Sequence, residues 1–436
     1  MNTVDTIAAP ATAVGGAIAV IRISGPDALA VGNRVWHGKA PLCREKARMM
    51  CLGRCGGDQV LAVYMPGPRS YTGDDVVELH CHGGALAADQ VLQCTLRGGC
   101  RMAEPGEFTF RAFVNGKLDL VRAEAVSEII SADSRMALNL AEKQLSGALS
   151  RVLATLRDNL AAVLAECESH LDFPDEELDW DTDLADRLAA PAGELAKLLA
   201  GARDGMVIRQ GVRVVISGLP NAGKSSLLNR ILGRERAIVT SIPGTTRDTL
   251  EETATLGGIP VRLTDTAGLR QSDDEVERIG IERSRREIAS AEVELRVLDA
   301  STGDPGGFQP HDRAIAVWNK MDMAGDRILP ELNCRTVHLS ALTGENVDSL
   351  HRMFRELVWG REDWAEPDFA VSSRHAAELE QALQALPEAM SLLRDQRWDL
   401  AAIPLRSSLE ALGRITGEYA DPDILEKIFS RFCIGK

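Results

Sequence analysis

The stretch Gly218–Ser225, GLPNAGKS, following the apolar run Val212–Ser217, constrains this chain more than any other. It reads G-x-x-x-x-G-K-S, the pattern of a phosphate-binding loop between a buried parallel strand and a helix. The glycines let successive backbone N–H groups turn toward an anion, Lys224 neutralises its charge, and the Ser225 hydroxyl can bind Mg²⁺. A glycine-rich strand-to-helix turn has much the same spelling. The weight therefore falls on the signatures that lie downstream in the chain.

Those signatures come in order. Asp265-Thr266-Ala267-Gly268 comes after the apolar strand Ile259–Leu263; an acid there reaches Mg²⁺ through water, and the Gly268 N–H can meet a γ-phosphate. Asn319-Lys320-Met321-Asp322 ends the strand Ala314–Trp318, and Asp322 can accept two hydrogen bonds from guanine N1–H and its exocyclic amine. Adenine would leave that carboxylate unpaired, so discrimination can be large. Ser340-Ala341, after the strand Thr336–Leu339 and followed by Leu342, supplies backbone N–H for guanine O6. With Asn221, Ala222, Gly223, Lys224, Ser225 and Ser226, these elements spell a GTP-binding domain at strand carboxyl ends.

Composition bounds the rest. At roughly 100–200 residues per domain, 436 residues predict two to four domains. A net charge of −15 argues against a nucleic-acid footprint over the whole surface, so any RNA contact needs a local basic patch or a more basic partner. The nine cysteines are scattered without a C-x-x-C, and neither Cys43, Cys51 and Cys55 nor His80-Cys81-His82 fits a zinc spacing. Free thiols suit a reducing cytoplasm. The apolar patch Ala13–Ile23 contains Gly15 and Gly16 with no basic residue before it, unlike a secretion signal. No run approaches the ~18–20 apolar residues of a membrane span. The expectation is a cytoplasmic protein with no membrane contact.

Along the chain, residues 1–117 read as mixed α/β, with strands at Ala17–Ile23, Val60–Tyr64 and Val76–His80. Apolar or small residues then recur in steps of three and four from 138 to 171, predicting one long helix stopped at Phe173-Pro174. An acid-rich run from Asp172 to Asp186 comes next and reads as solvated. Helical texture returns near 374. A GTP domain over 211–360, flanked by helical segments over 118–210 and 361–436, reads as an insertion into one helical bundle.

Two parts of an ordinary GTPase are missing. The residue after Gly268 is Leu269, which cannot orient water. Asp273, Asp274, Glu275, Glu277 and Glu282 are all able to, and spacing alone does not choose. No arginine finger is evident either: Arg247 in TSIPGTTRD reads better as a switch-loop residue, beside the hydroxyl candidates Thr245 and Thr246.

The runs GLPNAGKSSLLN, GTTRD and DTAGLR with DEVERIGIE, together with GGAIAVIRISG, GEFTFRAFVNGKLDL and the terminal Cys433-Ile434-Gly435-Lys436, resemble the MnmE (TrmE) family of tRNA-modification GTPases, from about residue 5 to the last. The resemblance implies an N-terminal α/β folate-binding domain, a discontinuous helical bundle and an inserted Ras-like, potassium-dependent G domain with a mostly parallel sheet. By motif position, Asn221, Thr240, Ile242 and Thr245 would hold K⁺ in place of an arginine finger. Ser225 and Thr246 would hold Mg²⁺, and Glu277 would position water. The loop Thr240, Ser241, Ile242, Pro243, Gly244, Thr245, Thr246 would close on GTP. Arg22, Glu78, Lys117 and Lys436 match folate-contacting positions for 5-formyl- or 5,10-methylene-tetrahydrofolate, and Cys433 is a candidate for substrate chemistry.

The implied function is modification of C5 of the wobble uridine of certain tRNAs, by a homodimer acting with an FAD-containing MnmG (GidA) partner. The chain carries no flavin motif of its own. A ribosome-assembly GTPase and a stand-alone folate-dependent aminomethyltransferase are the rival readings. Two positions depart from the resemblance. The strand Val293–Leu298 carries Glu294 and Arg296 on one face where a buried strand is expected, and AAPATAVGG lacks a Thr-Pro before its glycines.

Overall fold

The computed structural model describes residues 4–172, 184–234, 251–265, 291–360 and 367–436. The chain forms two compact units, one of Met1–Ser127, Gln144–Gly193 and Glu378–Lys436, the other of Glu128–Lys143 and Glu194–Ala377.

In the first unit, β1 (Ile7–Pro10), β2 (Ile18–Ser24), β3 (His37–Gly38), β4 (Cys51–Cys55), β5 (Asp58–Met65), β6 (Val76–His82) and β7 (Arg101–Met102) form a sheet in the order β3-β4-β5-β6-β2-β1-β7. Strand alternation divides its residues between two faces. Ile21, Ile23, Val60, Ala62 and Leu79 pack beneath the helices Ala28–Val35 and Ala85–Arg97, which bury Val31, Val35, Ala88 and Val91. The opposite face holds Val20, Arg22, Leu61, Glu78 and His80; the register sets Arg22 against Glu78 and Leu61 against His80. Cys81 lies buried between outward-facing His80 and His82, so these three do not converge.

The helical part of this unit joins residues from before and after the inserted segment. Helix Ala148–Asp172 buries Leu149, Leu153, Leu156, Leu160 and Val163 along helix Trp398–Thr416, which buries Leu405, Leu412 and Ile415. Each such side chain contributes about 1.5–3 kcal/mol by leaving water. The Cys167 thiol donates to the Trp398 carbonyl at 3.1 Å, and Arg406 pairs with Glu168 at 2.6 Å. The bundle is discontinuous in sequence.

The single long helix predicted through residues 138–171 is corrected to two, Arg135–Leu145 and Ala148–Asp172. Gly147 between them has φ +84°, a left-handed conformation that ends a helix and that an apolar period does not register.

The second unit is built on β8 (Val212–Ser217), β9 (Glu251–Leu256), β10 (Ile259–Asp265), β11 (Val293–Asp299), β12 (Ala314–Asn319) and β13 (Arg335–His338), ordered β13-β12-β11-β8-β10-β9. All neighbours run parallel except β9 and β10, a hairpin. Near-continuous apolar runs such as Val212–Ser217 suit strands covered on both faces. Helix Val347–Trp359 lays Val347, Leu350 and Phe354 into the core with Leu227 and Ile231 of helix Lys224–Arg234.

Glu294 and Arg296 are accommodated by the connection from β11 to β12. Residues 300–313 contain no helix, although a parallel crossover usually carries one. Loop groups therefore meet the strand face that bears Glu294, Arg296 and Leu298. Glu294, 5% exposed, accepts from the Ser217 hydroxyl and pairs with His311 Nε2 at 2.8 Å. Arg296 lies 5.5 Å over the Phe308 ring and donates to the Gly306 carbonyl at 3.4 Å. Glu294 is thus paired, whereas Arg296 rests on a ring face and one carbonyl and keeps its Nε buried without a hydrogen-bond partner.

Candidate functional site

The loop after β8 is shaped by backbone conformations that its residues permit. Gly218 has φ +144°, and a Cβ there would lie 2.3 Å from the Val297 carbonyl oxygen. Gly223 has φ +98°, with Asn319 Nδ2 2.2 Å from where its Cβ would stand. Asn221 takes φ +64°, a conformation that Asn tolerates, and is exposed. Lys224 Nζ donates to the carbonyls of Gly218 at 2.9 Å and Leu219 at 2.8 Å. Its charge is held across the loop. Ser225 and Ser226 are in the first turn of helix Lys224–Arg234, where N–H groups and the helix dipole favour an anion.

Asn319 ties this loop to the one after β13. Only 2% exposed, it donates through Nδ2 to the Ala222 carbonyl at 3.0 Å and accepts the Ala341 N–H at 2.9 Å. Lys320, at φ +65°, pairs with Asp299 at 2.6 Å. Burial, the largest influence on Asp299, raises its pKa, but bonds from Lys320 and Ser301 more than offset it and hold the carboxyl below its usual range. Asp322 is exposed. Ser340 Oγ accepts the Thr343 N–H at 3.1 Å, closing the turn that presents Ala341 and Leu342.

Asp265 ends β10 with its backbone beside Ile216. Thr240, Ser241, Ile242, Pro243, Gly244, Thr245, Thr246, Thr266, Ala267, Gly268 and Glu277 lie outside the described residues, as do Arg247 and Leu269. The sequence marks Asn319 as part of a signature but does not mark the two loops that its amide joins. Asp299 has no sequence signal, because its partner is set by the parallel pairing of β11 with β12.

In the first unit the structure brings Arg22, Glu78, Cys433 and Lys436 together. Arg22 Nε donates to Glu78 Oε1 at 2.9 Å, and its guanidinium lies 5.2 Å over Tyr71 and 5.6 Å over Phe108. His80 Nε2 stands 3.5 Å from Glu78 Oε2. The tail reaches this face because Phe429 and Phe432 pack against Phe110, Phe113 and Leu120. The carbonyls of Cys433 and Lys436 then accept the N–H groups of Gly106 at 3.4 Å and Phe108 at 3.1 Å, and Gly435 O meets Arg22 Nη1 at 3.5 Å. Gly435, at φ +97°, admits the Pro10 carbonyl oxygen 1.9 Å from where a Cβ would stand. Burial lowers the Lys436 pKa first and the Arg22 charge lowers it further; Cys433 and Glu78 oppose both. Two cations, one of them bonded to a carboxylate and lying over aromatic faces, suit an anionic, flat ligand. Lys117 does not join them through a bond: its ammonium donates to the Pro68 carbonyl at 2.9 Å.

A protein-family model described as the MnmE helical domain matches residues 120–433, and one described as the GTP-binding protein TrmE N-terminus matches residues 6–117. Among curated proteins, the chain is 44% identical over 460 residues to "tRNA modification GTPase MnmE" of Symbiobacterium thermophilum, covering 99% of each. It is 44% identical over 464 residues to the protein of that name from Moorella thermoacetica, again covering 99% of each. The solved G domain of the T. maritima FeoB iron transporter matches 34% of this chain and 97% of its own at 22% identity, with a TM-score of 0.23.

Proposed function

The chain belongs to the MnmE family, and from that premise we propose that it is a potassium-dependent GTPase that modifies C5 of the wobble uridine of certain tRNAs. It would act as a homodimer with an FAD-containing MnmG-type partner, adding an aminomethyl or carboxymethylaminomethyl group. Its parts would be an N-terminal folate-binding domain over 1–117, helical halves over 118–210 and 361–436, and a G domain over 211–360.

The observation that carries this reading is the seating of the last four residues against the Arg22–Glu78 pair, in a chain whose Asn319 also joins a phosphate loop to a base-reading loop. Arg22, Glu78, Lys117 and Lys436 would hold the tetrahydrofolate derivative, which supplies the one-carbon unit. Cys433 stands beside them as a thiol for substrate handling. Exposed Ile18, Leu52 and Leu61, on the sheet face that bears Arg22, support pairing of two such sheets.

In the G domain, Lys224 exchanges its bonds to the Gly218 and Leu219 carbonyls for phosphate oxygens when GTP enters, so the loop is shaped in advance. Ser225 and Thr246 would hold Mg²⁺, and Asn221, Thr240, Ile242 and Thr245 would hold K⁺, supplying positive charge against that developing on the phosphates. Asp322 would pair with guanine N1–H and the amine, while the loop of Ser340, Ala341 and Leu342 would offer O6 the Leu342 N–H, since the Ser340 and Ala341 N–H groups donate to the Glu345 carbonyl and Asn319 Oδ1. Leu269 has no group to hold the water, and Glu277, which the family resemblance places in that role, would hold it in line.

The test is mass analysis of tRNA nucleosides from a deletion strain, complemented with the wild type and with Glu277→Ala. Loss of the modified wobble uridine, restored by the wild type alone, is the expected result. Normal nucleosides in the deletion strain would sink the proposal, and accumulating ribosomal precursors would then favour a ribosome-assembly GTPase.

A further inference from the structure

Arg230 lies on helix Lys224–Arg234, whose first turn carries the phosphate-loop lysine and serine. Half-buried, its guanidinium reaches across to the loop after β13. Nε donates to the Ala341 carbonyl at 2.7 Å, and Nη2 donates to the Leu342 carbonyl. The two donors of one planar group thus hold two successive peptides. A trans peptide sets its N–H opposite its C=O, so fixing the Ala341 carbonyl on Arg230 turns the Leu342 N–H away from the guanidinium; Leu342 itself is 75% exposed. The preceding peptide is fixed independently, its Ala341 N–H on Asn319 Oδ1 at 2.9 Å. The loop is therefore clamped at adjacent peptides by two side chains from different elements.

We infer that Arg230 is a positioning residue for base selection: it orients the Ala341–Leu342 peptide so that the loop reads the 6-oxo acceptor of guanine, and it links that reading to the helix that carries the phosphates. This rests on the proposed assignment of the loop to guanine O6. Lysine cannot replace it, because an ammonium is a point donor without a fixed fork. A merely structural role, holding the helix to the sheet, would weaken every nucleotide alike. A positioning role weakens those with a good acceptor at position 6 and spares those without.

The full-length protein is titrated with GDP, with IDP, which keeps the 6-oxo group and lacks the amine, and with 6-thio-GDP, whose sulfur is a weak acceptor. Arg230→Ala is expected to raise Kd for GDP and IDP by about tenfold, the equivalent of about 1.4 kcal/mol and at the lower edge for a bond from a charged donor, and for 6-thio-GDP by less than about threefold. Arg230→Lys should fall between, and it carries the same comparison should the alanine variant fail to fold. Equal weakening of all three nucleotides, or an unchanged Kd for GDP, would overturn the role of Arg230. If the wild type itself binds 6-thio-GDP as tightly as GDP, the assignment of this loop to O6 is the part that fails.

Discussion

Removing the hydroxyl of Ser217 tests how the phosphate loop is anchored from behind. Ser217 ends β8 immediately before Gly218 and is 3% exposed; its hydroxyl donates to Glu294, itself 5% exposed. Ser217→Ala leaves that carboxylate one bond short, which costs ~2 kcal/mol for a charge-assisted bond at a buried group. Glu294→Leu leaves the Ser217 hydroxyl without its acceptor and costs ~1–3 kcal/mol, while His311, 39% exposed, is rehydrated. In the double variant neither buried group is left unpaired, so it should cost less than the sum of the singles by ~1–2 kcal/mol. Urea unfolding of the full chain measures this, with the G-domain transition identified as the one that GDP moves upward. Additivity within ~0.5 kcal/mol would show that the two side chains do not depend on each other.

K⁺ should stimulate GTP hydrolysis far more than Na⁺, and Asn221→Ala should bring the two rates together; equal wild-type rates would return Arg247 to consideration as a finger. Acid should loosen the first unit at Asp5 and Glu107. Arg101 and Arg111 hold the Asp5 carboxyl below its ordinary range, and for Glu107 bonds from Arg101, the Glu104 N–H and Arg111 outweigh the larger upward push of burial. With folded values below unfolded ones, their stabilisation is complete above the ordinary carboxylate pKa of about 4 and is lost as pH falls through the folded values. Glu107→Gln, which weakens the pairs with Arg101 and fully buried Arg111 while Asp5 still pairs with both, should cost ~1.5–3 kcal/mol at neutral pH and flatten the acid slope of a thermal melt. Deleting Cys433–Lys436 should abolish tRNA modification and weaken folate binding with K⁺-stimulated hydrolysis nearly unchanged; unimpaired modification would remove the tail from the chemistry.

Legibility in the sequence tracks the range of the interactions. Val212–Ser217 reads as a buried strand and Gly218–Ser225 as an anion loop because both depend on neighbours in sequence, and the structure forms β8 over those residues. The single long helix fails for a related reason. Ser146 and Gly147 fall within an unbroken apolar period, and a period records which side chains face a core, not the φ of +84° that turns the backbone. Glu294 and Arg296 are opaque because the groups they meet come from elsewhere: Ser217 from the neighbouring strand, and Gly306, Phe308 and His311 from a crossover with no helix.

The tail is the sharpest case. Gly435 can be read as a glycine, but its reason is the Pro10 carbonyl, which no local pattern links to it. The same distinction applies to the nucleotide site. Motifs identify the groups that touch phosphate or base, since that chemistry dictates residue type and spacing. What holds those groups in place, the Asn319 amide between two loops and the Arg230 fork on the Ala341 and Leu342 carbonyls, depends on contacts between elements that no spacing records, and Arg230 itself lies outside every motif. Selectivity among nucleotides is therefore open to substitutions outside every signature, and Arg230 is where this chain exposes that dependence to measurement.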